Sequence, residues 1–176
     1  MSVKFVFDDL LTIRDVDVII LQVNCLCANA QGLSKAIATK YPWANIYSKR
    51  RAESHTNLAV LEDRGGTWFY SIFKSPKPLQ PDIVCFFLSQ WDFGTTDQIV
   101  RKIPPYTDIR LNRIIWFKQC LEQQELHIKF VALPDHIGCG VDGGDWTTYF
   151  EIIEKFAKAN DINFVIVRPS FAHKWI

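Results

Sequence analysis

Largely apolar segments alternate along this chain with amphipathic stretches, and this alternation limits the possible folds more than any other feature. Six segments rich in β-branched, aliphatic or aromatic residues are predicted to be strands: Val3–Phe7, Val16–Val23, Leu58–Leu61, Trp68–Phe73, Ile128–Leu133 and Asn163–Val167. Several are apolar on both faces, which requires helices on both sides of a sheet. The pattern predicts an α/β fold, a three-layer α/β/α sandwich with a mixed, mostly parallel sheet of six or seven strands.

Three amphipathic stretches predict helices: Leu33–Tyr41, Thr107–Glu122 and Trp146–Ala159. Thr107 and Asp145 are suited to cap the second and third of these helices. The inward face of the second helix is predicted to carry four aliphatic residues: Leu111, Ile114, Ile115 and Leu121. The strand-like run Asp82–Leu88 predicts an extended hairpin or an extra edge strand.

Length and composition indicate one ordinary globular domain over residues 1–176. The chain has 48% hydrophobic and 22% charged residues and a formal net charge of +1, so it lacks the strong basic field of a duplex-binding protein. Its five cysteines form no CxxC pair, which favours reduced thiols over a zinc site. No signal core or membrane span is recognisable. We therefore expect a cytoplasmic monomer without metal or cofactor.

Half of the eight glycines stand between a predicted strand and a predicted helix, at Gly138, Gly140, Gly143 and Gly144. Glycine allows successive backbone N–H groups to turn toward one point, and a following helix N-terminus adds partial positive charge. The loop therefore predicts an anion cradle at the carboxyl end of a strand. The simpler alternative is a tight strand-to-helix turn. No GK[ST] motif follows, so the loop is not a P-loop.

The glycine loop, Ile137–Trp146, resembles the second phosphate-binding loop of the macro domain family, which typically reads I-G-C-G-x-x-G-x-x-W. Two further segments match the family in order and spacing. Phe7–Thr12 resembles the family's G-D-I-T turn, and Ile19–Cys25 resembles its strand ending in V-N-A. The resemblance covers nearly the whole chain and implies a module that binds ADP-ribose.

The resemblance also implies roles for individual residues. Asp9, followed by Leu10 in the same turn, would accept a hydrogen bond from the adenine amino group, and Asn24 would hold the distal ribose. Phe171 would stack on adenine. Four consecutive residues would wrap the diphosphate with their backbone: Gly138, Cys139, Gly140 and Val141.

One departure from the family concerns the loop that surrounds the distal ribose. Cys27 stands where the family has a second asparagine, and only Gly32 remains of a glycine-rich run. Asn29 or Ser34 would have to compensate. The segment 32–42 nevertheless resembles the branch that includes terminal ADP-ribose protein glycohydrolases, DNA ADP-ribosyl hydrolases and ADP-ribose-1″-phosphatases.

In that branch a strand ends in a lysine, and an aspartate follows G-C-G-x in the glycine loop. Lys74 and Asp142 match these two features, with Lys77 as the alternative lysine. An amine can attack the anomeric carbon and form a Schiff base with the opened ribose, while a carboxylate moves the protons. The resemblance thus implies Lys74 as nucleophile and Asp142 as acid and base. His136, beside the loop, either contacts substrate or is simply solvated.

Three functions follow as hypotheses. The first is a hydrolase that removes ADP-ribose from a protein or nucleic acid, or the phosphate from ADP-ribose-1″-phosphate. The second is a non-catalytic reader of free or attached ADP-ribose. The third is a nucleic-acid-binding module that uses Tyr47 and the basic triplet at 49–51. The net charge of +1 argues against nucleic-acid binding as the main role. ADP-ribose or an ADP-ribosylated macromolecule is the expected partner.

Overall fold

The computed structural model describes residues 2–25, 27, 29–49, 52–53, 56–57, 70–76, 81–92, 94, 109–123, 128–140 and 143–170. Eight strands lie in these ranges: β1 (Val3–Phe7), β2 (Val18–Asn24), β3 (Ala52–Glu53), β4 (Thr56–Asn57), β5 (Tyr70–Lys74), β6 (Ile83–Gln90), β7 (Phe130–Pro134) and β8 (Asn163–Arg168). Six of them form one sheet in the order β1-β8-β7-β2-β6-β5, and β3 pairs with β4 separately.

The main sheet is mixed and mostly parallel, as predicted. β1, β8, β7, β2 and β6 run parallel to one another, whereas β5 pairs antiparallel with β6 at the sheet edge. The segment Asp82–Leu88, predicted as a hairpin or an edge strand, corresponds to β6. This strand forms a hairpin with β5 and lies inside the sheet, between β2 and β5. The prediction that it forms an extra edge strand is wrong. The predicted strand Leu58–Leu61 lies outside the described residues.

Three α-helices of the described ranges cover the sheet: α1 (Gly32–Lys40), α2 (Arg110–Glu122) and α3 (Trp146–Asn160). Short 3-10 turns follow α1 at Pro42–Ala44 and Ile46–Lys49. Asp145 caps α3 as predicted, because its carboxylate accepts hydrogen bonds from the backbone N–H groups of Thr147 and Thr148. The Thr148 hydroxyl bonds the same carboxylate and, with these N–H groups, lowers the pKa of Asp145.

The inward face of α2 differs from the prediction. Leu111 and Ile115 are 60% and 43% exposed, so placing them in the core is wrong. The buried face of α2 instead consists of one charged, two aromatic and two smaller apolar residues: Arg113, Trp116, Phe117, Cys120 and Leu121. The aliphatic spacing was misleading because Trp116 and Phe117 bury more apolar area than the aliphatic residues of the neighbouring turns. The predicted cap Thr107 lies outside the described residues, and Ile109 occupies the N-cap position.

The core has two layers, one on each face of the sheet. Alternate residues of β2 point to opposite faces, with Ile19 and Leu21 packing in the layer of α1 and Ile20 packing in the layer of α2 and α3. This arrangement confirms the three-layer sandwich. In the described ranges, no helix is both long and apolar enough to cross a membrane.

Candidate functional site

A cavity of about 440 Å³ opens at the carboxyl ends of β2, β6 and β7. Parallel strands bring their carboxyl ends to one edge of a sheet, where ligands of α/β proteins bind. The lining includes three predicted or alternative site residues from β2 and the α1 region, together with residues of β6 and the glycine loop: Asn24, Asn29, Ser34, Gln90, His136 and Gly138. The structure therefore brings the ends of three strands and the start of one helix around a single space.

The glycine loop is closed by its own backbone. Gly144 N–H donates to Gly138 O at 3.1 Å, and Cys139 N–H donates to His136 O at 2.9 Å. A Cβ on Gly144 would lie 2.4 Å from Gly138 O, so this position excludes any side chain. Gly138 has a φ of +71°, and its Cβ would meet the Gln22 side chain at 2.5 Å. Both glycines are thus required by close approach or by backbone conformation.

Two N–H groups of the loop remain available to a ligand. Among the described residues, none accepts a hydrogen bond from the backbone N–H of Gly138 or Gly140, whereas the N–H groups of Ile137 and Cys139 bond within the loop. Gly140 is exposed, and its φ is outside the left-handed region. Alternate N–H groups free of internal partners are what an anion cradle requires. The loop has the hydrogen-bonding capacity that the sequence predicted.

Amide side chains form another part of the cavity wall, and one of them, Gln22, packs directly against Gly138 of the glycine loop. Gln22 Nε2 donates to Gln90 Oε1 at 2.9 Å, and Gln90 Nε2 donates to the Asp92 carbonyl at 3.1 Å. The buried Arg113 guanidinium holds the same turn by donating to the carbonyls of Asp92 and Gly94. These contacts fix Gln90 at the end of β6 in one orientation.

Asn24 ends β2 with its side chain nearly buried, at 9% exposure. Its Oδ1 accepts a hydrogen bond from Cys27 N–H at 2.7 Å, which fixes the amide plane beside the cavity. Ser34 also lines the cavity, but its hydroxyl donates to the Gln31 carbonyl at 2.7 Å and accepts from Gln31 N–H at 3.3 Å. Ser34 therefore serves the first turn of α1 in this structure.

The Asp9 turn lies at the carboxyl end of β1, outside the lining of this cavity. Asp9 Oδ1 accepts from Leu11 N–H at 2.9 Å, and Asp8 Oδ1 accepts from Asp9 N–H at 2.7 Å. Leu10 is fully buried. The Tyr41 hydroxyl donates to the Leu11 carbonyl at 2.7 Å, and burial, together with the charge of Asp9, raises the pKa of Tyr41. These hydrogen bonds hold the turn, which follows β1, two strands away from β7 in the sheet.

A charged pair stands at the edge of the cavity beside the glycine loop. Asp135 Oδ2 accepts from Arg168 Nε at 2.8 Å. Asp135 Oδ1 lies 3.0 Å from His136 Nδ1 but without in-line hydrogen-bond geometry, so that contact is electrostatic. The His136 ring stacks on Trp146 with centroids 5.0 Å apart.

Lys74 lies at the other end of the sheet, which corrects the sequence-based expectation. Its partner in β6 is Ile83, whereas Asn24 pairs with Gln90. Gln90 follows Ile83 by seven positions along β6, which corresponds to about 23 Å. A lysine side chain cannot span that distance. Of β5 and β6, it is β6 that ends at the cavity, and its last residue is Gln90.

Sequence reasoning missed the residues of the amide wall. Gln22 and Gln90 each interrupt or end an otherwise apolar strand, and such a polar residue in a buried run is a usable signal of a site. Lys74 was assigned to the wrong end of the sheet because the sequence does not show that β5 runs antiparallel to β6. Lys77, Val141, Asp142 and Phe171, also predicted for the site, lie outside the described residues.

The cysteines carry no metal or disulfide chemistry in the described ranges. All five are free thiols, and no group of three or more metal-ligating side chains occurs among the described residues. Burial raises the pKa of Cys120 far above its ordinary value. Cys139 is half-buried, and its Sγ lies 3.3 Å from the Ile137 carbonyl.

Comparisons with known proteins agree with this architecture. The macrodomain of Thermus aquaticus DarG has a TM-score of 0.63 and 18% identity, over 96% of this chain and 99% of that one. The macrodomain of Mycobacterium tuberculosis DarG has a TM-score of 0.60 and 19% identity, over 96% and 99%. A Bacteroides thetaiotaomicron protein of unknown function has a TM-score of 0.61 and 17% identity, again over 96% and 99%. No protein-family model matches the sequence, and no curated protein is significantly similar to it. The chain therefore has the macrodomain fold over nearly its whole length.

Proposed function

We propose that this protein binds ADP-ribose in the cavity at the carboxyl ends of β2, β6 and β7. The observation that carries the proposal is the pair of N–H groups on Gly138 and Gly140, which face no internal acceptor in the described part of the chain. Gly138 lines a cavity whose wall also includes the amide side chains of Gln22 and Gln90. Such a site offers donors to a diphosphate and both donors and acceptors to a sugar.

The ligand would lie along the carboxyl edge of the sheet. Its diphosphate would sit at the glycine loop, with Gly138, Gly140 and Val141 contributing backbone N–H groups. The predicted contribution of the Cys139 N–H is not part of this proposal, because that group donates to the His136 carbonyl. The distal ribose would sit at Asn24. Adenine would extend toward the Asp9 turn and stack on Phe171. The macrodomain fold and the family resemblance of the three motifs support this direction.

Calorimetry tests the proposal directly. A preformed cleft with several directed hydrogen bonds predicts micromolar affinity, about 8 kcal/mol. ADP should bind more weakly than ADP-ribose because it lacks the distal ribose. Undetectable ADP-ribose binding at millimolar ligand, by protein shown to be folded, would overturn the proposal.

Hydrolysis of a bond at the distal ribose is the second candidate function. It is favoured by the position of Asn24 and Asn29 in the cavity and by the resemblance of 32–42 to hydrolytic macro domains. Lys74 is too distant to be the nucleophile, and the Gln90 amide is not nucleophilic. With Lys74 at the amino end of the sheet, we propose attack by water, with Asp142 as the carboxylate that moves the proton.

A panel of four substrates separates a reader from a hydrolase and identifies the leaving group. The protein would be incubated with ADP-ribosylated protein, ADP-ribosylated DNA, O-acetyl-ADP-ribose and ADP-ribose-1″-phosphate. Release from one of them that is lost in Asp142→Ala supports hydrolysis. Binding without release in all four supports a reader. The five free thiols suit a reducing compartment, so we place this activity in the cytoplasm.

A further inference from the structure

The edge of the main sheet at β1 carries exposed aromatic side chains. β1 is the outermost strand of this sheet among the described strands, with β8 as its neighbour. Phe7 is 75% exposed and Phe5 is 40% exposed, so the chain leaves both rings accessible. An edge strand with exposed apolar side chains is a template for pairing with another strand. The side of β1 that faces away from β8 is called the outer edge below.

The backbone of β1 presents alternate residues to the outer edge. Asp8 N–H donates to the Arg168 carbonyl at 3.1 Å, and the Ser2 carbonyl accepts a hydrogen bond from β8 at 2.9 Å. The even-numbered residues of β1 therefore direct their N–H and C=O groups toward β8. The groups of the intervening residues point the other way, so Phe5 and Phe7 direct theirs to the outer edge. A strand added there would pair with the backbone of both phenylalanines.

The Phe5 ring is held in position by its neighbours. It stacks on Phe150 of α3 with the ring centroids 5.6 Å apart, and the Arg168 guanidinium carbon lies 4.3 Å from its centroid. Arg168 is anchored in turn, because its Nε donates to Asp135 at 2.8 Å. A side chain that is ordered before association loses little conformational entropy when a partner binds. Phe5 is thus a preformed anchor at the outer edge.

A second copy of β1 is complementary to this edge. A two-fold axis perpendicular to the strands sets two copies antiparallel. With Val6 on that axis, the exposed Lys4 lies opposite the partner's Asp8, which is also exposed, and Phe5 lies opposite the partner's Phe7. Opposite charges and aromatic pairs in cross-strand positions stabilise an antiparallel pair. This register also makes Phe5 and Phe7 a hydrogen-bonded pair, as the direction of their backbone groups requires.

Other registers lack this complementarity. A shift by one residue sets the outward backbone groups of one strand against residues that bond β8. A shift by two residues places Lys4 opposite the partner's Val6 and leaves its charge without a cross-strand partner. A shift by four residues places the two Lys4 ammonium groups opposite each other, which is unfavourable.

We propose that the protein forms a symmetric dimer in which two β1 strands pair antiparallel and join the two main sheets into one. This inference is independent of the proposed function, and it replaces the monomer expected from the sequence. Pairing through one short strand buries less surface than a permanent interface, so the dissociation constant should lie in the micromolar range. No residue of β1 lines the cavity.

Sedimentation equilibrium over a concentration series tests the dimer by charge exchange. Because of the two-fold symmetry, Lys4→Asp creates two pairs of like charge, and so does Asp8→Lys. Each variant alone should weaken dimerisation by about ten-fold or more. An equimolar mixture of the two variants should regain a dimer close to wild type in stability, since every cross-strand pair is again of opposite charge. Wild-type protein that stays monomeric throughout the series, or a mixture as monomeric as its components, overturns the proposal.

The aromatic pairs provide a second test. Phe7→Ala removes both of them and should weaken dimerisation by roughly three- to ten-fold. Phe130→Ala is the matched control, because Phe130 is 46% exposed but lies in β7, two strands away from β1. This control should dimerise like wild type, and thermal melting shows whether each variant is folded. Folded Phe7→Ala that dimerises as tightly as wild type overturns the proposed interface.

Discussion

The two ends of the central sheet are built from similar strands and yet differ in every property that matters for a ligand. At the carboxyl end, Asn24, Gln90 and the glycine loop line an open cavity, and the N–H groups of Gly138 and Gly140 have no acceptor among the described residues. At the amino end, Asp17 Oδ2 accepts from the N–H groups of Lys129 and Phe130 at 2.9 and 2.8 Å. Polar groups at the amino end satisfy one another, whereas those at the carboxyl end leave capacity for a partner.

Strand direction decides to which end a residue belongs. β5 runs antiparallel to β6, so the last residue of β5, Lys74, lies beside the first residue of β6. Lys74 is the last residue of its strand, as a site residue would be, but this strand ends at the amino end of the sheet and the cavity lies at the carboxyl end. The comparison predicts that substitutions at the carboxyl end change binding and that substitutions at the amino end change only stability.

The largest effect is expected from Gly144→Ala. Its Cβ would lie 2.4 Å from the Gly138 carbonyl, so the loop would have to move, at a cost of roughly 1–3 kcal/mol. Calorimetry should show ADP-ribose affinity reduced by about ten-fold or more. Gly140→Ala is the matched control, because its Cβ meets no atom within 4 Å, and its melting temperature should match wild type. Equal melting temperatures and affinities for both variants would contradict the loop geometry.

The next largest effect is expected from Asn24→Ala. Removal of the amide deprives the distal ribose of its partner and Cys27 N–H of its acceptor, with a loss of about 1–3 kcal/mol in ADP-ribose binding. Asn24→Asp keeps an acceptor for Cys27 and should still bind ADP-ribose more weakly than wild type. ADP, which lacks the distal ribose, should lose less affinity than ADP-ribose in both variants. An equal loss for the two ligands would mean that Asn24 only shapes the loop.

Asp17→Ala should affect stability alone. The N–H groups of Lys129 and Phe130 would exchange a carboxylate acceptor for water, which costs about 1 kcal/mol in the free energy of unfolding. Asp17→Asn, which retains an oxygen acceptor, should lose less of the free energy of unfolding than Asp17→Ala. Denaturant unfolding measures the loss, and calorimetry should show unchanged ADP-ribose affinity. A several-fold change in affinity would show that the two ends are coupled.

The sequence predicted the sheet well because long apolar runs leave few alternatives to a strand buried on both faces. It also indicated that the glycines of the loop have a structural purpose, since Gly138 and Gly144 are required by backbone conformation or close approach. That the loop binds an anion stays a prediction. The position of Lys74 could not be read from local pattern, because apolar composition is the same for parallel and antiparallel strands. For a related reason, the prediction for the inward face of α2 failed at Leu111 and Ile115. Tertiary packing buries Trp116 and Phe117 on that helix instead, whereas the predictions for Leu121 and Ile114 are confirmed.

The smallest effect is expected from Lys74→Ala. Lys74 is exposed at the end of the edge strand, about 23 Å along the sheet from the cavity, so both stability and ADP-ribose affinity should match wild type. If the protein hydrolyses any substrate of the panel, its rate should also be unchanged. Loss of turnover together with a covalent adduct trapped by borohydride in the wild type alone would restore Lys74 as the nucleophile.

The most direct test of the central claim is a ¹H–¹⁵N correlation spectrum recorded during titration with ADP-ribose. Binding at the carboxyl end predicts large shift changes for the backbone amides of Gly138 and Gly140 and for the Asn24 side chain. The backbone amides of Lys74 and Lys129, at the amino end, should keep their positions. Shift changes confined to the amino end, or none at saturating ligand, would contradict the assignment of the site to this cavity.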